Sequence, residues 1–113
     1  MNTSPIGRSF TEYTQERVSR DPDFASALLE EAVQHLLTGD LPTARSLIRD
    51  VIKGSIGYSE LSLRTGTPEK SLVRMFGHGG NPTAANIVRV LLELQKYGHV
   101  SLQVHSEPVL ANA

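Results

Sequence analysis

At 113 residues the chain has the length of one compact domain, and its 39% apolar content supports a core built on Leu, Ile, Val and Ala, because aromatics reach only 5%. The absence of cysteine excludes disulfides, thiolate metal ligands and a cysteine nucleophile. The net charge of -1 conceals an asymmetry: residues 1–40 carry three arginines against seven acidic residues, residues 41–113 eight basic against five acidic.

Residues 1–8 read as a flexible polar tail with Pro5 and Gly7. Met1-Asn2-Thr3-Ser4-Pro5 lacks a basic-then-apolar signal pattern, and no apolar run approaches the roughly 20 residues that cross a bilayer. A cytoplasmic protein is expected. Ser9 and Glu12 have capping-box spacing and open a polar helix reaching about Arg20. Asp21-Pro22-Asp23 breaks it, because proline disfavours helix in the residue before it. A second helix is expected over residues 23–38, where Phe24, Leu28, Ala32 and Leu36 recur at helical spacing and Gly39 suits a C-terminal cap. These segments form an acidic N-terminal extension over residues 9–40.

A third helix is expected over residues 41–53, with Pro42 tolerated in its first turn and an apolar face of Ala44, Leu47, Ile48, Val51 and Ile52. Gly54 and Gly57 bracket a turn. Two short helices follow, at residues 59–64 and 68–76, joined through Gly66. The loop 77–82 leads to a last helix over 83–97, stopped by Gly98. That helix, with Ile87, Val88, Val90, Leu91, Leu92 and Leu94, has little polar face, as in a core helix or a subunit interface. Val100, Leu102 and Val104 then alternate with polar residues, the period of a short strand that needs a partner.

The stretch from Tyr58 to Leu94 carries the functional information. A helix-turn-helix needs a small residue where two helices pack across a tight turn. Gly66 stands there, Leu61 and Leu72 can face each other across it, and Ser62 allows close approach. The outward positions of the second helix include Glu69, Lys70, Ser71 and Arg74, types that reach base edges and phosphates. On charge alone these are an ordinary solvated face; within the frame of Gly66 and Asn81-Pro82, DNA contact is the better reading.

Leu61-Ser62, Gly66, Leu72 and Met75, the entry Asn81-Pro82-Thr83, and Ile87, Val90, Leu91 and Leu94 together resemble the Cro and lambda-repressor-like (XRE-like) helix-turn-helix class. More narrowly, Asp21-Pro22-Asp23-Phe24-Ala25, the Ala/Leu/Glu-rich run 27–32, Gly39-Asp40 and Gly79-Gly80-Asn81-Pro82-Thr83 resemble the addiction-module antidote (HigA-like antitoxin) branch. The resemblance implies a mainly all-α fold: a lambda-repressor-like core over residues 41–105, two added N-terminal helices and a short C-terminal β-strand, in one compact domain. It implies a sequence-specific transcriptional regulator that binds double-stranded operator DNA, acting as the antitoxin-type autorepressor of a toxin–antitoxin module, with a ribonuclease-type toxin as protein partner. DNA contacts are expected from Tyr58, Ser59, Thr67, Glu69, Lys70, Ser71, Arg74 and Asn81. Tyr58 stands where the family commonly has Gln, and Glu69 sets a carboxylate near phosphates. Both favour the alternative, a protein-interaction module that keeps the fold without binding DNA.

A homodimer is expected because one recognition helix reads only a half-site. Val88, Leu92, Val100, Leu102 and Val104 are the interface candidates. Gly77-His78-Gly79-Gly80 lacks the Lys-Ser/Thr ending of a P-loop and reads as a turn, with Asn81 capping the helix after it. His35, His78, His99 and His105 make no ligand pair, and no catalytic constellation is visible. Neither metal, cofactor nor enzymatic activity is expected.

Overall fold

A computed structural model describes residues 9–110, and among them six helices and no strand: α1 (Phe10–Arg20), α2 (Pro22–Leu37), α3 (Leu41–Gly54), α4 (Gly57–Thr65), α5 (Glu69–Phe76) and α6 (Ala84–Gly98). The tail expected over residues 1–8 lies outside the described residues. No described helix is long and apolar enough to cross a membrane.

Local chemistry sets the helix ends. Ser9 and Glu12 form the capping box at the start of α1. Asp21 both terminates α1 and caps α2, accepting a hydrogen bond from the Phe24 amide at 3.2 Å. The break between the two helices is therefore a single residue, with Pro22 opening α2 where a missing N–H is harmless. Asp40 caps α3 through the Thr43 amide, and hydrogen bonding from the Thr43 side chain, then from that amide, lowers the pKa of its carboxyl from the ordinary value.

α3 organises the molecule. α1 and α2 pack on it, and α4 and α5 also lean against it. Its Ile48, Val51 and Ile52 join one continuous core with Val18, Leu28, Leu29 and Ala32 from the N-terminal helices. Leu61, Leu72, Phe76, Ile87, Val90 and Leu94 complete that core from the other half of the chain. The approach of α1 to α3 is close enough to demand a glycine: a Cβ on Gly54 would collide with the Val18 side chain and the Gln15 carbonyl. A polar contact seals the same seam. Asp50, buried, accepts a 2.9 Å hydrogen bond from Gln15 Nε2 and longer ones from Arg49.

The segment after α6 differs from the expected strand. Residues 100–110 have no regular structure, because no second strand lies beside them to complete a ladder. Leu102 instead donates its amide to Gln95 Oε1 at 2.8 Å and packs on the core. Two caps also differ. α6 ends on His99 in the left-handed region, φ 55°, rather than on Gly98. Its N-cap is Thr83, not Asn81, since Thr83 Oγ1 accepts from the Asn86 amide at 3.2 Å.

Candidate functional site

The turn between α4 and α5 takes only Gly66, Thr67 and Pro68. Gly66 ends α4 at φ 75°, a conformation that glycine adopts without penalty, and its amide donates to the Ser62 carbonyl. Ser62 Oγ donates to the Thr67 carbonyl at 2.6 Å, and the Thr67 amide donates to Thr65 Oγ1. The Pro68 carbonyl accepts from both Ser71 and Leu72 amides, starting α5 at once. The Gly66 and Thr67 amides and the Thr67 and Pro68 carbonyls are thus tied locally, and Leu61 and Leu72 are buried on the turn's inner side.

α5 is sharply two-sided. Leu72 and Phe76 are fully inside, while Glu69, Lys70, Val73 and Arg74 form an exposed ridge with a shallow hollow along it. Lys70 and Arg74 stand four positions apart on that ridge, where side chains are neighbours. Among the described residues neither makes an ion pair, although Arg64, Lys96 and Arg17 on other helices each have a carboxylate partner. Glu69 contributes an exposed carboxylate beside them at the start of the helix. Two unneutralised cations and one acceptor can donate to phosphates or guanine edges and accept from a cytosine amino group.

The loop after α5 is fixed from behind. Gly80 donates its amide to the Gly77 carbonyl, and the Gly80 carbonyl accepts a 2.7 Å hydrogen bond from Arg45 Nη1 of α3. A Cβ on Gly80 would run into the carbonyls of Arg74 and Met75, so the loop folds tightly back on the end of α5. Asn81 is exposed at its far side and Pro82 is buried.

The expected contact residues divide in this arrangement. Glu69, Lys70 and Arg74 share the ridge, with Ser71 half-buried at its edge. Ser59 and Asn81 are exposed on α4 and the loop, and Thr67 is half-buried in the turn. Tyr58 packs against the core instead. Burial pushes its phenol up to about 12, with the Arg49 cation pulling the other way and the Asp50 carboxylate adding to the rise. The interface candidates divide as well. Val88 and Leu92 lie one turn apart on the outer side of α6, 64% and 48% exposed, and Val104 is exposed too. Val100 and Leu102 are half-buried within their own chain.

Sequence reasoning did not single out Val73 or Arg45. Val73 sits beside Leu72 in the sequence and reads as one more apolar residue. The Arg45–Gly80 contact joins residues too far apart for any spacing rule to connect. Comparisons with family models, with curated proteins and with solved structures found no match for this chain.

Proposed function

We propose that the chain is a sequence-specific transcriptional regulator that reads double-stranded DNA with α5 of a lambda-repressor-like helix-turn-helix. The observation that carries this reading is the pairing of Lys70 with Arg74 on one exposed ridge, neither in an ion pair among the described residues. Like charges at this spacing weaken an isolated helix by a few tenths of a kcal/mol, and a polyanion laid along the ridge relieves that repulsion. The short turn through Gly66 supports the reading by presenting α5 beyond α4, and the clamped loop adds Asn81 beside it.

Operator reading by a two-fold dimer follows from the geometry of half-sites. Val88 and Leu92 offer an apolar patch for that association, and Val104 is a further exposed apolar residue. An antitoxin-type autorepressor is the narrower form of the proposal, supported by the acidic, Asp-Pro-broken helices α1 and α2 that precede the DNA-reading part. Their carboxylates suit a basic ribonuclease-type toxin by charge complementarity.

Glu69 favours a second reading, a protein-interaction module on the same scaffold, because its carboxylate faces the side where phosphates would lie. A mobility-shift titration against the DNA upstream of the chain's own coding region separates the two. A specific shift, weakening steeply with salt, is expected for the regulator. No shift even at low salt would count against the regulator and favour the interaction module. Light scattering at micromolar concentration tests the dimer, and a monomer with and without DNA would remove it.

A further inference from the structure

The exposed ridge of α5 contains one residue whose chemistry the charges around it do not explain. Val73 is 46% exposed and takes no part in the core or in the apolar side chains packed around it. It follows Glu69 by four positions and Lys70 by three, and Arg74 stands next to it, so a branched hydrocarbon occupies the middle of a charged face. Nothing in the fold asks for it there. A β-branched residue is a poorer helix former than the straight-chain polar residues that ordinarily fill exposed helix positions.

The major groove of DNA has one apolar feature at this scale, the C5-methyl group of thymine, and short apolar side chains are its usual partners. Resting on the reading that α5 enters a major groove, we infer that Val73 packs on a thymine C5-methyl and makes thymine the preferred base at one position of each half-site. Lys70 and Arg74 flank that contact as donors to phosphate or guanine, and Glu69 accepts on the N-terminal side. The ridge then specifies by an apolar contact bounded by charge, and a uracil at the same position is discriminated by the missing methyl alone.

The test begins by selecting bound duplexes from a random-sequence pool with the full-length chain. Each thymine of the selected site is then replaced in turn by deoxyuridine, which removes the methyl and keeps every hydrogen-bonding group. Wild type is expected to lose about fourfold in affinity at one thymine per half-site, the size of effect for one methyl withdrawn from an apolar contact. Val73→Ala is expected to bind the thymine and uracil duplexes equally, and Val73→Thr, which keeps one methyl, to restore part of the difference. Circular dichroism confirms that these exposed-site variants stay folded. A uracil penalty equally large in wild type and Val73→Ala, or absent at every thymine in wild type, overturns the inference while leaving DNA binding intact. A pool that yields no bound duplex overturns DNA binding itself, and this contact with it.

Discussion

Arg45 of α3 donates 2.7 Å from Nη1 to the carbonyl of Gly80, 35 positions along the chain, and so fastens the loop after α5 to the centre of the molecule. A charge-assisted hydrogen bond of this kind contributes roughly 1.5–3 kcal/mol. Arg45→Ala is therefore expected to lower stability by about 2 kcal/mol in urea unfolding. Arg45→Lys, which keeps the charge but not the reach of the guanidinium, should fall between the two.

Two of the three glycines of that loop, Gly79 and Gly80, should respond differently. Gly79 has φ 80° and open space around its missing Cβ, so Gly79→Ala bears only the left-handed penalty, about 1 kcal/mol. At Gly80 the obstacle is backbone carbonyl, which cannot swing aside as a side chain can. Gly80→Ala should cost about 3 kcal/mol, the upper end for overpacking. Urea midpoints in the reverse order would show that the loop is not folded against α5.

Lys70 and Arg74 are expected to trade stability against binding. In the absence of DNA, Lys70→Ala or Arg74→Ala should leave the chain as stable or more stable by about 0.3 kcal/mol, since each removes a like-charge neighbour. With the selected duplex, Arg74→Ala should lose about tenfold in affinity or more, and Lys70→Ala should lower the salt slope by about 1. Isotherms unchanged in both variants would take the ridge out of the interface.

Asp50 and Gln15 tie α1 to α3 under cover. Asp50→Ala leaves the Gln15 amide and part of the Arg49 fork without their acceptor, and should cost about 2–3 kcal/mol. Asp50→Asn keeps one carbonyl for Gln15 and should cost about 1 kcal/mol. A double-mutant cycle with Gln15→Ala measures the coupling directly; strictly additive losses would mean that the two side chains do not act together.

Tyr58 gives a pH signature. Its folded-state value, about 12, lies above the ordinary phenol value of 10, so between these limits the folded chain holds a proton that the unfolded chain releases. Stability contributed by the neutral phenol is complete below pH 10 and is lost as pH rises towards 12. Tyr58→Phe should flatten that alkaline decline, and it should also remove one phenolate, titrating near 12, from the ultraviolet difference spectrum. A wild-type decline that persists in Tyr58→Phe would assign it to other groups.

The features legible in the sequence were those settled within one turn of chain. The Ser9–Glu12 box, the Asp21-Pro22 break and the Gly66 turn all act over three or four residues, and the apolar spacing of α3 fixed its buried face. Features that depend on distant chain were not legible. Tyr58 heads a short helix and can face either way, and only α3 packed beside it turns it to the core. The alternation of Val100, Leu102 and Val104 is a real pattern, but a strand also requires a neighbour, and Gln95 takes the Leu102 amide instead. At the candidate site, Glu69, Lys70 and Arg74 were legible as outward residues from their spacing to Leu72. Val73 was masked by that same neighbour, because adjacent apolar residues look alike until one of them is seen from outside.

The glycine at position 54, where α1 presses on α3, makes the acidic and basic ends of the chain one cooperative unit. α1 and α2 roof the helix that carries Ile48, Val51 and Ile52, and those residues in turn support Leu72 and Phe76 beneath the α5 ridge. Removing or unravelling the first two helices would strip the core that holds the ridge in shape. A protease that trims the acidic end would therefore unfold the other end with it, and a ligand that clasps α1 and α2 would stabilise both.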